Sequence, residues 1–356
     1  MRCDPNKISV IAPNLKRRLS GVTSTVIRLV PLQARDIAIA ATGPVLPDHV
    51  PRIALHHLLT MSRHAPGGGG PRVWHARRNV EMIAGLALKH LLRKDLALMF
   101  TSASQRHHTG LTRWLIARMD AVVATSALTA GYLSVPHAVI HHGIDTETFS
   151  PASDRAALRD RLGLPRDALL IGCYGRIRAS KGTDIFVEAM RAVLPRHPAA
   201  VALVMGRAVG KDQAFLQALK DMVAGHGLGD RIRLLPEVPA DATAPWYAAL
   251  DLYVAPQRHE GFGLTPLEAA ACGVPSIATR TGAFAEIVAE DETGTIIPTD
   301  DTTALIAALD AVLSDPARLA RWQAACRPRV MEGFRIADEA QALIAIYRDL
   351  LGRRAD

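Results

Sequence analysis

Aromatic residues make up only 4% of the 356-residue chain, cysteine occurs four times, and no long uncharged apolar run is present. Without a span of roughly 18 or more apolar residues, no segment is a candidate for crossing a bilayer. Cys3, Cys173, Cys272 and Cys326 form no C-x-x-C pair and no metal-ligand spacing, so free buried thiols are expected and no metal. No G-x-G-x-x-G follows any strand-like run, which argues against an NAD-dependent dehydrogenase. Scarce aromatics and the lack of a recognisable reading module argue against a basic nucleic-acid-binding protein. The opening "MRCDPNKISVIAP" lacks the apolar stretch of a secretory signal, so a cytoplasmic location is expected.

The hydrophobic content of 49% and mean hydropathy of +0.12 belong to a well-buried soluble protein. The length exceeds one ordinary core and fits two domains of about 150 to 200 residues each, hence a cleft. Charge is unevenly divided between them. Residues 1–150 hold 18 Lys and Arg against 8 Asp and Glu, and the remainder holds 24 against 26. Eleven of the 14 histidines also fall in the first part. A basic first domain implies an anionic partner: nucleic acid, a phospholipid surface or an acidic small molecule.

Short apolar runs alternate with longer amphipathic ones through the second half. "LLIGCYG", "AAVALVMG", "RIRLLP", "LDLYVAP", "PSIAT" and "GTIIP" are expected strands, and "GTDIFVEAMRAVLPRHP" repeats its apolar residues at helical spacing. The first half follows the same scheme with "ISVIAP", "DIAIAAT", "PRIALH", "LALMFTS", "AVVATS" and "AVIHHG". Such alternation predicts an α/β chain of parallel strands with crossover helices on both faces. The loop "HHGIDTETFSPASD" places the expected linker near 150–154, giving domains 1–152 and 153–335. A last helix at 336–356 is expected to pack back toward the first domain. The run "APGGGGPR", 65–72, reads as a mobile loop.

The stretch "HEGFGLTPLEAAACGVP", 259–275, carries two carboxylates, Glu260 and Glu268, on either side of a glycine-rich turn. Thr265 is the expected N-cap and Pro266 the first helical residue, so Glu268 also fits a purely structural capping box. A glycine-rich turn entering a helix at the carboxyl end of a parallel strand exposes N–H groups to phosphate. The carboxylates would repel phosphate and instead suit sugar hydroxyls at both ends of a diphosphate. In "YGRIRASKG", Arg176 and Lys181 flank the end of another strand, where two cations can neutralise a diphosphate leaving group or simply be solvated.

"YGRIRASKG", the E-x7-E stretch and "HHGIDTETFSP", taken together and in this order, resemble the retaining glycosyltransferase family 4 over nearly the whole chain. The resemblance implies a GT-B fold, two Rossmann-like doubly wound parallel-sheet domains facing a cleft, the first binding acceptor and the second nucleotide sugar. It implies that Glu260 contacts the donor sugar, Glu268 the ribose, and Arg176 and Lys181 the diphosphate. Gly261, Phe262, Gly263, Leu264 and Thr265 would line the same donor site. "NLKRRLSGVTST" resembles the family's glycine loop, with Gly21 approaching phosphate, although Ser20 stands where many relatives have a second glycine. The family's histidine beside the sugar would be His107 or His108, with His107 favoured. Retention is explained in this family by front-face attack, with the departing diphosphate accepting the acceptor's proton, and requires no cofactor beyond the donor.

Lys16, Arg17 and Arg18 beside the glycine loop, and Arg72, His75, Arg77 and Arg78 with Trp74 in "RVWHARRNVEM", are candidates for an anionic saccharide acceptor. "ALKHLLRKDL", with Lys89, His90, Arg93 and Lys94, fits either a solvated helix face or peripheral contact with an anionic leaflet. Several of these stretches look similar to lipopolysaccharide core mannosyltransferases, which implies GDP-mannose as donor and a Kdo-containing lipid-linked acceptor at the cytoplasmic face of the inner membrane. The competing readings are a transferase using a UDP- or ADP-sugar and a nucleotide-sugar epimerase of the same architecture.

Overall fold

The computed structural model describes residues 1–17, 21–67 and 70–352. The chain forms two compact units, residues 1–142 with 336–356, and residues 143–335. In the first, seven parallel strands run β1 (Val10–Pro13), β2 (Ile39–Thr42), β3 (Arg52–Ile53), β4 (Arg72–Ala76), β5 (Leu96–Ser102), β6 (Ala121–Ala124) and β7 (Ala138–Val139) along the chain. Their order across the sheet is β3-β2-β1-β4-β5-β6-β7. The second unit holds β8 (Leu169–Tyr174), β9 (Ala200–Met205), β10 (Ile232–Leu235), β11 (Leu252–Ala255), β12 (Ser276–Thr279) and β13 (Gly294–Ile297), ordered β10-β9-β8-β11-β12-β13. Both are doubly wound. In each the order reverses beside the first strand, and the crevice outside the carboxyl ends of such strands is where ligands bind in open α/β sheets.

Both faces of each sheet are covered, so the strands read as continuous apolar runs. On β1, Val10 and Ala12 join Leu343, Ile344 and Tyr347 of the helix Ile336–Gly352 in one core cluster, while Ile11 on the other face joins Trp74 and Met82. In the second unit Ile171 and Cys173 pack with Phe186 and Met190 of the helix Thr183–Val193, and Leu170 and Tyr174 with Leu267 and Ala271. The four cysteines are free, and burial pushes the Cys173 thiol up to about 12.

The domain boundary and one strand differ from the sequence expectation. The units divide between His142 and Gly143, ten residues before the expected boundary. Ile144 donates its N–H to Phe334 O at 2.8 Å and Phe149 lies in the second unit's core, so the polar loop that reads as a linker is already bound to that unit. The strand β4 was not among those expected. Its residues, Arg72 to Ala76, are all buried at the centre of the sheet, with β1 on one side and β5 on the other.

Candidate functional site

The second unit's reversal point lies between β8 and β11, which pair in parallel. Arg176 follows β8 by two residues and is exposed, with no described carboxylate paired to it. The chain then makes a single 3₁₀ turn, Ala179–Lys181, before Gly182 takes a left-handed φ of +69° and starts the next helix. A Cβ at Gly182 would collide with the carbonyl oxygen of Pro256, so the turn lies directly against the end of β11. Arg176, Lys181, Tyr174, Thr183 and Gln257 line one small cleft.

Glu260 reaches Lys181 from the other loop. Its Oε2 forms an ion pair with Lys181 Nζ, and its Oε1 accepts the Gly261 N–H at 2.9 Å. The two side chains retain 22% and 21% exposure, so the pair is reachable by a ligand. Each charge is compensated by the other, and any anion reaching the ammonium would compete with Glu260 for it.

A residue not singled out from the sequence holds the two loops together. Arg258 donates to both Asp184 carboxylate oxygens at 2.8 and 2.9 Å, to Asp300 Oδ1 at 2.7 Å and to Ala179 O. These bonds, led by those to Asp184, raise its pKa above the ordinary arginine value. Its backbone N–H also donates to Ser180 O at 3.2 Å, so the Lys181 turn and the Glu260 loop are fixed as one piece. Its place two residues before Glu260 was the available signal. Gln257, 4% exposed, contributes a buried Oε1 with no protein partner in the same cleft.

Beyond Glu260 the glycine turn is tightly seated. Gly263 has φ +87°, and a Cβ there would strike the Phe284 ring. Phe262 is buried, and its carbonyl accepts the Ala283 N–H at 2.8 Å. The helix Thr265–Ala271 follows, but Thr265 is its first residue and not its cap. Leu264 already has helical angles, no side chain caps the helix, and Pro266 stands in its first turn, so the expected capping box is absent. Glu268 is half-buried and faces Tyr247, whose pKa is raised well above the usual tyrosine value by burial and then by the Glu268 charge. Tyr174, Tyr247 and Tyr253 pack together beneath the site with ring centroids 5.2 to 6.0 Å apart, a support invisible to motif reading.

In the first unit the expected acceptor cluster separates. Arg72 begins β4 at its amino end and is fully buried, its guanidinium donating to Ile8 O at 2.9 Å, Ser62 O at 2.6 Å and Ser62 Oγ at 2.7 Å. Trp74 is also inaccessible and donates to Glu81 O at 2.8 Å. His75 is held between Tyr347 Oη at 2.6 Å and Thr101 Oγ1 at 2.7 Å, and burial, then Arg77, lower its pKa well below the usual value. Arg77 is itself 8% exposed. The two covered faces of β4 bury Arg72, Trp74 and His75, so these do not lie on an open surface as expected, and His75 with Arg77 lines only a small cleft beside Thr25, Thr101 and His142.

Arg78 is a partial case. It lies just past the carboxyl end of β4 and donates to Asn14 Oδ1 at 2.9 Å, Glu81 Oε1 at 2.9 Å and Thr23 Oγ1 at 3.2 Å, bracing the segment that enters the helix Gly21–Gln33. Lys16 and Arg17 are exposed beside that helix, and Arg18 and Ser20 lie outside the described residues. A Cβ at Gly21 would meet nothing within 4 Å. His107, exposed after β5, stacks edge-on to Tyr132 at 5.3 Å, and His108 is half-buried with its pKa lowered by burial and then by Arg106 and Arg113. Among the described residues no group of three or more His, Cys, Asp or Glu could hold a metal ion.

Residues 154–329 match the family described as Glycosyl transferases group 1. Over 352 residues the chain is 50% identical to the lipopolysaccharide core biosynthesis mannosyltransferase LpsB of Rhizobium meliloti (strain 1021), covering 98% of this chain and 99% of that one. It is 47% identical over 351 residues to the corresponding LpcC protein of Rhizobium leguminosarum bv. viciae, with 98% of each covered. Among solved structures, Anabaena Alr3699/HepE in complex with UDP superposes with a TM-score of 0.83 over 96% of this chain and 100% of that one. The identity is 18%, a likeness of fold.

Proposed function

The chain belongs to the group 1 glycosyltransferases, has their GT-B fold and is a hexosyltransferase, and we propose that it moves mannose from GDP-mannose to an anionic, lipid-linked saccharide of the lipopolysaccharide core. The observation that carries the reading is 50% identity, across almost the whole of both chains, to a relative named for that reaction class. The acceptor we infer is a Kdo-bearing lipid A precursor at the cytoplasmic face of the inner membrane, reached by a peripheral enzyme. Among the described residues no helix is long and apolar enough to cross a membrane.

In this reading Arg176 and Lys181 hold the diphosphate of the donor. As the glycosidic bond breaks, negative charge grows on the leaving oxygen, and fixed cations there lower the barrier most when their positions are already set. Arg258 supports this role by fixing the Lys181 turn against the Glu260 loop. Glu260, once the donor draws Lys181 toward phosphate, is freed to accept hydrogen bonds from the sugar, and Glu268 does the same for the ribose. The backbone N–H groups from Gly261 to Thr265 border the same region, while in the first unit Gly21 serves the donor's phosphate and His107 with the exposed Lys16 and Arg17 serves the acceptor. The new bond forms on the face the diphosphate leaves, so the anomeric configuration is retained and the acceptor hydroxyl's proton passes to the departing phosphate oxygen. Two cations supply the charge that a divalent ion would otherwise bring, so the reaction so read requires no metal.

Thermal unfolding with GDP, UDP, ADP and NAD in parallel tests the donor assignment. A ligand at 100 times its Kd adds about 2.7 kcal/mol, which moves Tm by several degrees. GDP alone is expected to do so. A shift with UDP or ADP in its place would overturn the mannose donor.

A further inference from the structure

The first unit carries a wide groove of about 610 Å³ that plays no part in the donor chemistry, formed by the helix Asn79–His90 with the turn after it and by the segment around the short helix His57–Thr60. Its wall is almost wholly apolar. Leu59 and Leu91 stand 63% and 79% exposed, and Leu55 and Leu92 45% and 46%. Leaving four large apolar side chains together in water is costly, and such a patch marks a contact surface. The turn that presents two of them is built to do so. Arg93 takes a left-handed φ of 51°, and the Lys94 N–H returns to Leu88 O at 3.0 Å, which ends the helix and leaves Leu91 and Leu92 outward.

The rim of the groove is basic. From 55 to 94 the sole carboxylate is Glu81, which is buried and paired with Arg78 at 2.9 Å. Asp95 and Asp120 are paired with His64 and Lys89 at 3.1 Å each. Arg63 and Arg93 are exposed, and Lys94 is anchored at the rim by bonds to Leu59 O and Met61 O at 3.0 and 2.5 Å. A second copy of the chain is a poor occupant, since a two-fold pairing of this face would set the same cations against one another. An anionic leaflet satisfies both features, receiving leucines below the headgroups and cations among them.

We propose that this groove and its rim are a docking surface for an anionic phospholipid leaflet, with Leu59 and Leu91 inserted and Arg93 and Lys94 at the headgroups. The proposal builds on the lipid-linked acceptor of the proposed function by naming the surface that brings the enzyme to it.

The test is co-sedimentation of the full chain with phosphatidylcholine vesicles with and without phosphatidylglycerol, in the absence of donor and acceptor. Binding should require phosphatidylglycerol and weaken as salt rises. The L59S/L91S double variant should bind at least about tenfold more weakly, from the apolar area withdrawn, and R93Q about fivefold more weakly. M331S, altering an exposed apolar residue of the other unit, should bind as the unaltered chain does. Equal binding to both vesicle types, no binding to either, or L59S/L91S and R93Q binding undiminished would overturn the proposal. So would a dimer in sedimentation velocity that L59S/L91S dissociates. The GDP-dependent rise in Tm should survive in L59S/L91S, and its absence from the unaltered chain would count against the donor reading alone, since vesicle binding is measured without nucleotide.

Discussion

Arg176 and Arg72 are both arginines at an end of a strand beside the reversal point of a parallel sheet, yet they differ in every respect that concerns function. Arg176 lies past the carboxyl end of β8, exposed and without a carboxylate partner among the described residues. Arg72 opens β4 at the amino end, wholly buried, with Ile8 and Ser62 taking its donors. The charge is the same and the edge of the sheet is opposite. At the carboxyl edge, loops converge on a crevice that has room for a ligand. At the amino edge the guanidinium serves as a cross-brace, which a sequence shows only as one more basic residue.

The sharpest way to break this contrast is to remove a cation from the carboxyl edge. Lys181→Ala is predicted to lower kcat by about 10² to 10³-fold while leaving Tm nearly unchanged, read from GDP release and a melting curve. A variant that turned over normally would remove Lys181 from the diphosphate. At the amino edge the reverse is expected. Arg72→Ala strands the buried Ile8 carbonyl and releases the part-buried Ser62 segment, and should cost about 1 to 3 kcal/mol of stability, measured by denaturant unfolding, with kcat/KM per folded molecule unchanged.

A glycine pair sharpens the comparison further. Gly263→Ala must fit a Cβ against the Phe284 ring at a left-handed φ, and a loss of about 1 to 3 kcal/mol is expected. Gly21→Ala meets no such obstacle, so Tm should hold while the KM for the nucleotide-sugar donor rises, as expected of a glycine that lets the backbone approach phosphate. Chemical denaturation and steady-state kinetics on the two variants separate these outcomes.

The smallest effect concerns pH. His75 is kept neutral in the folded protein by burial and by Arg77, whereas in the unfolded chain it takes up a proton below about 6.5. The unfolded state then binds more protons, so stability is fully present above about 6.5 and is lost as pH falls from there toward the lowered folded value. His75→Gln should flatten that part of the stability curve. An unchanged slope would show that other groups govern it.

The donor side was the more legible part because its signals are positional. Gly261 and Gly263, with the E-x7-E spacing and Lys181, stand at fixed offsets from strongly apolar strands, and the structure sets Arg176 and Lys181 in one cleft and pairs Lys181 with Glu260. What the sequence hid is packing. Arg72 and His75 read as surface chemistry because their buried partners, Ile8, Thr101 and Tyr347, come from distant segments. The helix beginning at Thr265 was placed one residue out because the left-handed Gly263 lets Leu264 turn helical before any side chain caps it. Arg258 was overlooked for a similar reason, since Asp184 and Asp300, which give it its role, lie 74 and 42 residues away.

The most direct test of the whole account is release of GDP from GDP-mannose by the purified chain with and without a Kdo-terminated core acceptor, alongside Lys181→Ala. Release should depend on acceptor, yield an α-linked mannose and fall by about 10² to 10³-fold in the variant. Release that ignored the acceptor, inversion of the anomer, or a variant as fast as the unaltered enzyme would contradict it.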